Sequence, residues 1–136
     1  MGTGSLAVVD AWLNAVNRRD ADALQRLTHT QVQIAGPRGN GIMDRAVLAD
    51  WLARAGFSAD QLRWFCGGDG SVVVEQDARW TEVSSNDELG RACIASRFVI
   101  RDGRVASYQR HDDGLRAALT AAGLSTDDEV LDRAHH

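Results

Sequence analysis

RACIASRFVIRDGRVASYQRHDDGL, residues 91–115, is the stretch that decides how this chain folds. Apolar and polar side chains alternate on both sides of Asp102-Gly103, a residue pair suited to a two-residue reversal between antiparallel strands. Alternation with a period of two marks strands with one face against a core. The stretch therefore reads as strands Arg91–Arg101 and Arg104–His111 joined by a tight turn. That turn sets Arg101 opposite Arg104 and Ile100 opposite Val105. Counting by twos, Ile94, Ser96, Phe98 and Ile100 then share a face with Val105, Ser107, Gln109 and His111. Its apolar members make this the predicted buried face. Arg97, Val99, Arg101, Arg104, Tyr108, Arg110 and Asp112 fall on the other, which is left to solvent or a subunit partner.

Upstream, Gln61–Cys66 and Ser71–Thr81 read as strands around the turn Gly67-Gly68-Asp69-Gly70. Val72, Val74, Gln76, Ala78 and Trp80 are expected inward, with Glu75, Asp77 and Arg79 outward; a one-residue bulge would instead send Asp77 and Arg79 into the interior. Earlier still, the period is helical. Leu6, Val9, Leu13 and Val16 form one helix face with Trp12 beside it, and Asp20 can cap a second helix carrying Ala23, Leu24 and Leu27. A short strand, Gln31–Ala35, leads into a loop from Gly36 to Gly41. Asp44 then starts a helix whose expected apolar face is Val47, Leu48, Trp51, Leu52 and Ala55, ended by Gly56. Asp113 can cap a last helix running to Gly123, and the tail from Leu124 to His136 is expected to fray. Helices followed by long antiparallel strands predict an α+β domain, its sheet curling under the helices to leave a hollow suited to a small molecule.

At 136 residues the chain is sized for a single domain, 1–136, with its core over about 5–122. No apolar run approaches the ~20 residues that cross a bilayer, and Met1–Leu6 does not resemble a secretion signal, so a cytoplasmic protein without a membrane partner is expected. The net charge is −4, and every basic residue is Arg, a bias expected of a G+C-rich bacterial genome. These charges are interspersed and form no basic block, which argues against nucleic acid. Cys66 and Cys93 have neither CxxC spacing nor a neighbouring His, so no metal site is expected. The glycine-rich turn at 67–70 opens no helix and is not a phosphate loop.

If residue 111 points inward, His111 is the candidate acid or base, because imidazole titrates near neutral pH. It could equally be a core histidine satisfied by one hydrogen bond. Asp113 could orient its ring or simply cap the following helix. Gln109 and Gln76 would position a carbonyl, while Trp12, Trp51, Trp80 and Phe98 would line the walls unless they only fill the core.

The order of these elements, with AGPRGNGIMDRAVLADWL at 35–52 and FVIRDGRVASYQRHDDGL at 98–115, resembles the SnoaL-like branch of the nuclear-transport-factor-two-like superfamily over residues 5–122. The resemblance implies a cone-shaped curved antiparallel sheet, a half-barrel closed by N-terminal helices, with a deep pocket and a homodimer formed through the sheet. It also implies that enzymes of this kind (polyketide cyclases, ketosteroid isomerases, dehydratases, epoxide hydrolases) transfer protons through pocket His and Asp residues, while other members only bind or scaffold. The acid or base of the last strand matches His111 or the pair Asp112-Asp113. Thr30-Gln31 stands where an Asp is often found, and the first helix has no Tyr, which argues against a ketosteroid isomerase. The expectation is a cofactor-free protein that takes a small, largely apolar molecule and acts on it by proton transfer as a cyclase, dehydratase or isomerase. The alternative is a non-catalytic ligand-binding or protein-interaction dimer.

Overall fold

The structure, a computed structural model, describes residues 2–36, 39–54, 56–82, 85, 87–111 and 114–130. In chain order the elements are α1 (Gly2–Arg18), α2 (Ala21–Arg26), β1 (Thr28–Gly36), β2 (Gly39–Asp44), α3 (Arg45–Arg54), β3 (Phe57–Cys66), β4 (Ser71–Thr81), β5 (Glu88–Arg101), β6 (Arg104–His111) and α4 (Leu115–Ala122). The strands form one curved, unclosed sheet in the order β2-β1-β6-β5-β4-β3. All neighbours are antiparallel except β1 and β6, which run parallel, so the sheet is mixed where sequence predicted a purely antiparallel one. The segment expected to be a loop from Gly36 to Gly41 contributes residues to β1 and β2, which pair as a hairpin; Pro37 and Arg38 lie outside the described residues.

Local signals set the helix ends. The Asp20 carboxylate accepts from the Ala23 N–H at 3.1 Å, and Asp44 accepts from the Ala46 N–H at 2.8 Å, satisfying donors that the first turn leaves free. Gly56 and Gly123 stand in the left-handed region, at φ of 68° and 73°, as helix ends require. Asp113, the expected cap of α4, lies outside the described residues, and Gly114 occupies the cap position.

Helices α1–α3 close one face of the sheet. The core there is built from Val9, Trp12, Leu13 and Val16 of α1, Leu48 and Leu52 of α3, and Val72, Val74, Ala78, Ile94, Phe98, Val105 and Tyr108 of the strands. Trp12 meets Phe98 edge-on at 5.3 Å, and its Nε1 donates to Thr28 Oγ1, whose hydroxyl donates to the Leu24 carbonyl. The apolar face of α3 is rotated from the expected one: Leu48, Ala49 and Leu52 are buried, while Val47 and Trp51 are 57% and 54% exposed.

The last helix lies on the opposite, convex face. There Ala118 and Leu119 cover Phe65, Val73 and Ala95 in a second, smaller cluster. The chain beyond it does not fray at once. Leu124 packs on that cluster, the Val130 N–H donates to the Trp64 carbonyl at 2.8 Å, and Arg63 grips both oxygens of Glu129 at 2.8 and 3.0 Å. This strap pairs Glu129 with Phe65 and covers part of the sheet edge at β3, an exposed row of backbone groups that proteins commonly protect.

Candidate functional site

Between β5 and β6, the turn is as the sequence reads. Asp102 and Gly103 both take positive φ, 54° and 74°, and Arg101 pairs with Arg104, Ile100 with Val105. Two residues on, the register breaks. Val99 pairs with Ser107 while Ile100 pairs with Val105, so Ala106 has no opposite residue. One inserted residue flips every later side chain to the other face. Tyr108, expected outward, is buried 5.1 Å from Trp12 and 5.3 Å from Phe98. Arg110 follows it inward.

His111 and Gln109 are turned the other way, correcting the expected pocket face. His111 pairs with Ala95, a member of the cluster under α4, and is buried on the convex side. The Gln109 side chain accepts a hydrogen bond from Arg97. Asp113 lies outside the described residues.

On β4 the expected parity holds. Gln76 and Trp80 face inward with Val72, Val74 and Ala78, and the alternative bulge that would have buried Asp77 and Arg79 is absent from β4's pairing through residue 80. Asp77 and Arg79 form outward ladders instead. Arg91 donates to both Asp77 oxygens at 2.9 and 2.5 Å, and Arg79 lies 3.3 Å from Asp60. The Arg91 guanidinium holds the Asp77 carboxyl below the usual carboxylate range. Burial pushes the Cys66 thiol up, which works against a nucleophilic thiolate.

The concave face thus gathers a different set of polar residues from those the sequence points to. Gln76 is fully buried and sits at the centre of a chain. Ser96 Oγ donates to Gln76 Oε1 at 2.6 Å, and Gln76 Nε2 donates to Gln61 Oε1 at 2.8 Å. The chain ends in the Gln61 amide nitrogen, a group with two N–H donors, on a residue only half-buried. Above it, Asn17 of α1 exchanges two hydrogen bonds of 2.9 Å with the Ala59 backbone, fixing the end of that helix over β3.

Beside this chain, Arg110 stands across from Ser96, and its guanidinium lies 5.5 Å from the centroid of the Trp80 ring. Trp80 pairs with Gly90 and is followed along the same face by Ala78 and Ala92. These small residues let the indole reach across β5; a Cβ at Gly90 would stand 4.0 Å from Trp80 Cε3. Phe57 backs the indole at 5.4 Å. Trp80 and Arg110 remain partly exposed, unlike Trp12 and Phe98, which are closed in the core and reach no solvent. Trp51, at 54% exposure, is not part of this wall.

Among the described residues, the sheet's concave face carries Gln61, Gln76, Ser96, Tyr108 and Arg110 but no carboxylate or imidazole. Nor, among those residues, does any group of three or more His, Cys, Asp or Glu side chains form a candidate metal site. Sequence reading placed Ser96 on the inner face without giving it a role, and put Arg110 on the outer one. The signal for Arg110 was Tyr108, an aromatic residue that an unbroken register would have left on the charged face.

No family model matches the sequence, and no curated protein does. Solved structures do match the fold. An epoxide hydrolase described as LEH-like, from M. tuberculosis, superposes with a TM-score of 0.67 at 20% identity, over 88% of this chain and 95% of that one. A putative polyketide cyclase from Sinorhizobium meliloti gives 0.62 at 21%, over 77% and 94%. An NTF2-like protein of unknown function from Cytophaga hutchinsonii gives 0.67 at 13%, over 79% and 88%. The chain has the nuclear-transport-factor-two-like fold, a curved sheet with helices closing its concave side.

Proposed function

We propose that the concave face binds a small molecule with a flat, apolar body and a hydrogen-bond acceptor, such as a carbonyl or carboxylate, at one end. The observation that carries this reading is the pair formed by Arg110 and Trp80 beside the chain from Ser96 through Gln76 to Gln61. An indole and a guanidinium offer an apolar plane and a forked cation. The open end of the amide chain adds N–H donors, so these groups suit an acceptor better than a donor. Trp12 and Phe98 support the wall from behind.

The test compares small aromatic carboxylates with their methyl esters by NMR titration. Arg110→Ala should weaken carboxylate binding about tenfold or more, the scale of a lost charge-assisted hydrogen bond, and Trp80→Ala should weaken both series. Equal affinities for wild type and Arg110→Ala would remove the assignment.

Proton transfer of the cyclase, dehydratase or isomerase type is the finer reading, with His111 and Asp113 as acid and base. It has less support than binding, because His111 pairs on the convex side. If turnover of a substrate is found, His111→Gln decides the point: an unchanged kcat takes the imidazole out of the chemistry.

We also propose a cytoplasmic homodimer formed through the outer sheet face. Since α4 covers the apolar part of that face, the contact would fall on Asp77, Arg79, Arg91 and Cys93. Sedimentation of a monomer at 100 μM-scale concentration, well above the ~1 μM dissociation constants of ordinary complexes, would exclude it. Among the described residues no helix is long and apolar enough to cross a membrane.

A further inference from the structure

A second polar recess lies at the other end of β6 from Arg110, where α2, α3 and the β5–β6 turn meet. It is a groove of about 570 Å³ lined by Asp22, Gln25, Arg26, Arg45 and Arg104. The fold brings its three guanidinium groups together by main-chain ties. Val105 N–H donates to the Leu27 carbonyl at 2.8 Å, which sets Arg104 beside Arg26 at the end of α2. Arg45, the first residue of α3, reaches back with Nη1 to the carbonyls of Gln25 and Thr28, both at 3.3 Å. Those bonds satisfy the end of α2 and use one nitrogen, leaving Nε and Nη2 of the fork for another acceptor.

What sets this groove apart is that three guanidinium groups line one recess. Elsewhere Arg63, Arg79 and Arg91 are matched with Glu129, Asp60 and Asp77. Among the described residues Arg26, Arg45 and Arg104 join no salt bridge, although the protein as a whole carries a net charge of −4. One carboxylate, Asp22, faces three guanidinium groups in the groove, a local excess of two positive charges if all four groups are ionised. Like charges held together without partners repel, and an anion between them relieves that repulsion. Planar guanidinium forks match the oxygens of a phosphate more closely than a point cation does. The recess also exceeds a lone phosphate and lies within the roughly 300–1,000 Å³ of small-molecule sites.

We propose that this groove is an anion site for a small phosphate monoester, its phosphate held by Arg26, Arg45 and Arg104. The site is separate from the concave one. Arg104 and Arg110 sit at opposite ends of β6, about 20 Å apart at the usual rise of a strand, so either site can fail without the other.

The experiment is an NMR titration of the whole chain with phenyl phosphate and, separately, inorganic phosphate, at constant ionic strength made up with chloride. Saturable shifts at the amides of Gln25, Arg26, Arg45 and Arg104 are expected, with the ester binding more tightly than the free ion. The pair Arg26→Glu/Arg104→Glu, both exposed and, among the described residues, in no side-chain hydrogen bond or salt bridge, should weaken binding at least about tenfold. Arg18→Glu/Arg116→Glu, with the same change in net charge elsewhere, should leave it within about twofold. Shifts that rise linearly with phosphate, an equal loss in both double variants, or an ester no tighter than free phosphate would each overturn the assignment.

Discussion

The two faces of the sheet hold cores of different construction, though the same strands supply both. On the concave face, α1, from the start of the chain, brings Trp12 against Phe98 and Tyr108, which lie some ninety residues later. On the convex face the cluster is Phe65, Val73, Ala95, Ala118 and Leu119, and α4 joins it soon after β6 ends. The first core ties distant parts of the chain into one unit, whereas the second docks a short C-terminal helix and the strap behind it. Global stability therefore rests on the concave side, and the convex side is where local opening is cheapest. The polar residues follow the same division. The concave face keeps a buried, hydrogen-bonded amide at Gln76 beside a partly exposed cation at Arg110, and the convex face carries ion-pair ladders.

The most forceful way to break this division is to shift the register that sets it. Inserting one Ala after Ser107 sets Tyr108 opposite Arg97 instead of Phe98, turns it to the outside, and drives Gln109 and His111 into the concave core. Losing the buried aromatic costs about 3–5 kcal/mol, and each polar group buried without a partner adds about 1–3 kcal/mol. The sum rivals the whole stability of a typical domain, about 5–15 kcal/mol. The insertion variant should show no cooperative thermal transition by circular dichroism; a melting temperature within a few degrees of wild type would mean that this register does not set the faces.

A pair of truncations sharpens the contrast. Phe98→Ala removes a fully buried ring from the larger core and should cost about 3–5 kcal/mol. Leu119→Ala removes a side chain that is 6% exposed, on a helix that can shift to close the gap, and should cost about 2 kcal/mol, the low end for such a change. Their difference should also show in kind. In hydrogen exchange, Leu119→Ala should speed exchange in α4 alone, while Phe98→Ala should raise it throughout the sheet. Uniform acceleration in both variants would make the two clusters one cooperative unit.

How far the sequence revealed these two faces can be read residue by residue. Asp102-Gly103 gave the turn correctly, and the apolar positions of β4 placed Gln76 and Trp80 on the side they occupy. What parity could not show was Ala106, since a bulge changes no residue type. The warning lay in the load it relieves: without it, Ser107, Gln109 and His111 would all enter the core beside one Val, and Tyr108 would leave it. Polar groups buried at that density need partners. The parallel pairing of β1 with β6 was hidden for a different reason, because it joins strands some seventy residues apart and neither carries a turn signal for the other. Within the candidate site, Gln76 and Trp80 were legible from alternation alone. Arg110 depended on the bulge, and the groove around Arg26 depended on a tertiary tie from Leu27 to Val105 that no local pattern records.

The smallest expected effect concerns the strap beyond α4. Its docking includes the Arg63–Glu129 pair, whose hydrogen bonds hold the Glu129 carboxyl below its ordinary value. A carboxylate whose value is lowered by folding contributes stability above its unfolded value, about 4.3 for Glu, and loses it as pH falls through the folded value. The strap should therefore be docked at pH 6 and loosen below about pH 4, earlier than the concave core, where Trp12 is held by the Phe98 ring and the Thr28 hydroxyl. The Val130 amide, bonded to the Trp64 carbonyl, is the reporter. After correction for the intrinsic pH dependence of exchange, its protection should drop between pH 6 and pH 3 while that of Phe98 holds. In Glu129→Gln the drop should vanish, with protection already reduced at pH 6, since a neutral amide cannot replace the charged fork on Arg63. The effect is modest because the pair is partly open to water, which screens it. If Val130 keeps its protection at pH 3, apolar packing of Leu124 and α4 holds the strap, and the convex face is less dependent on charge than its ladders imply.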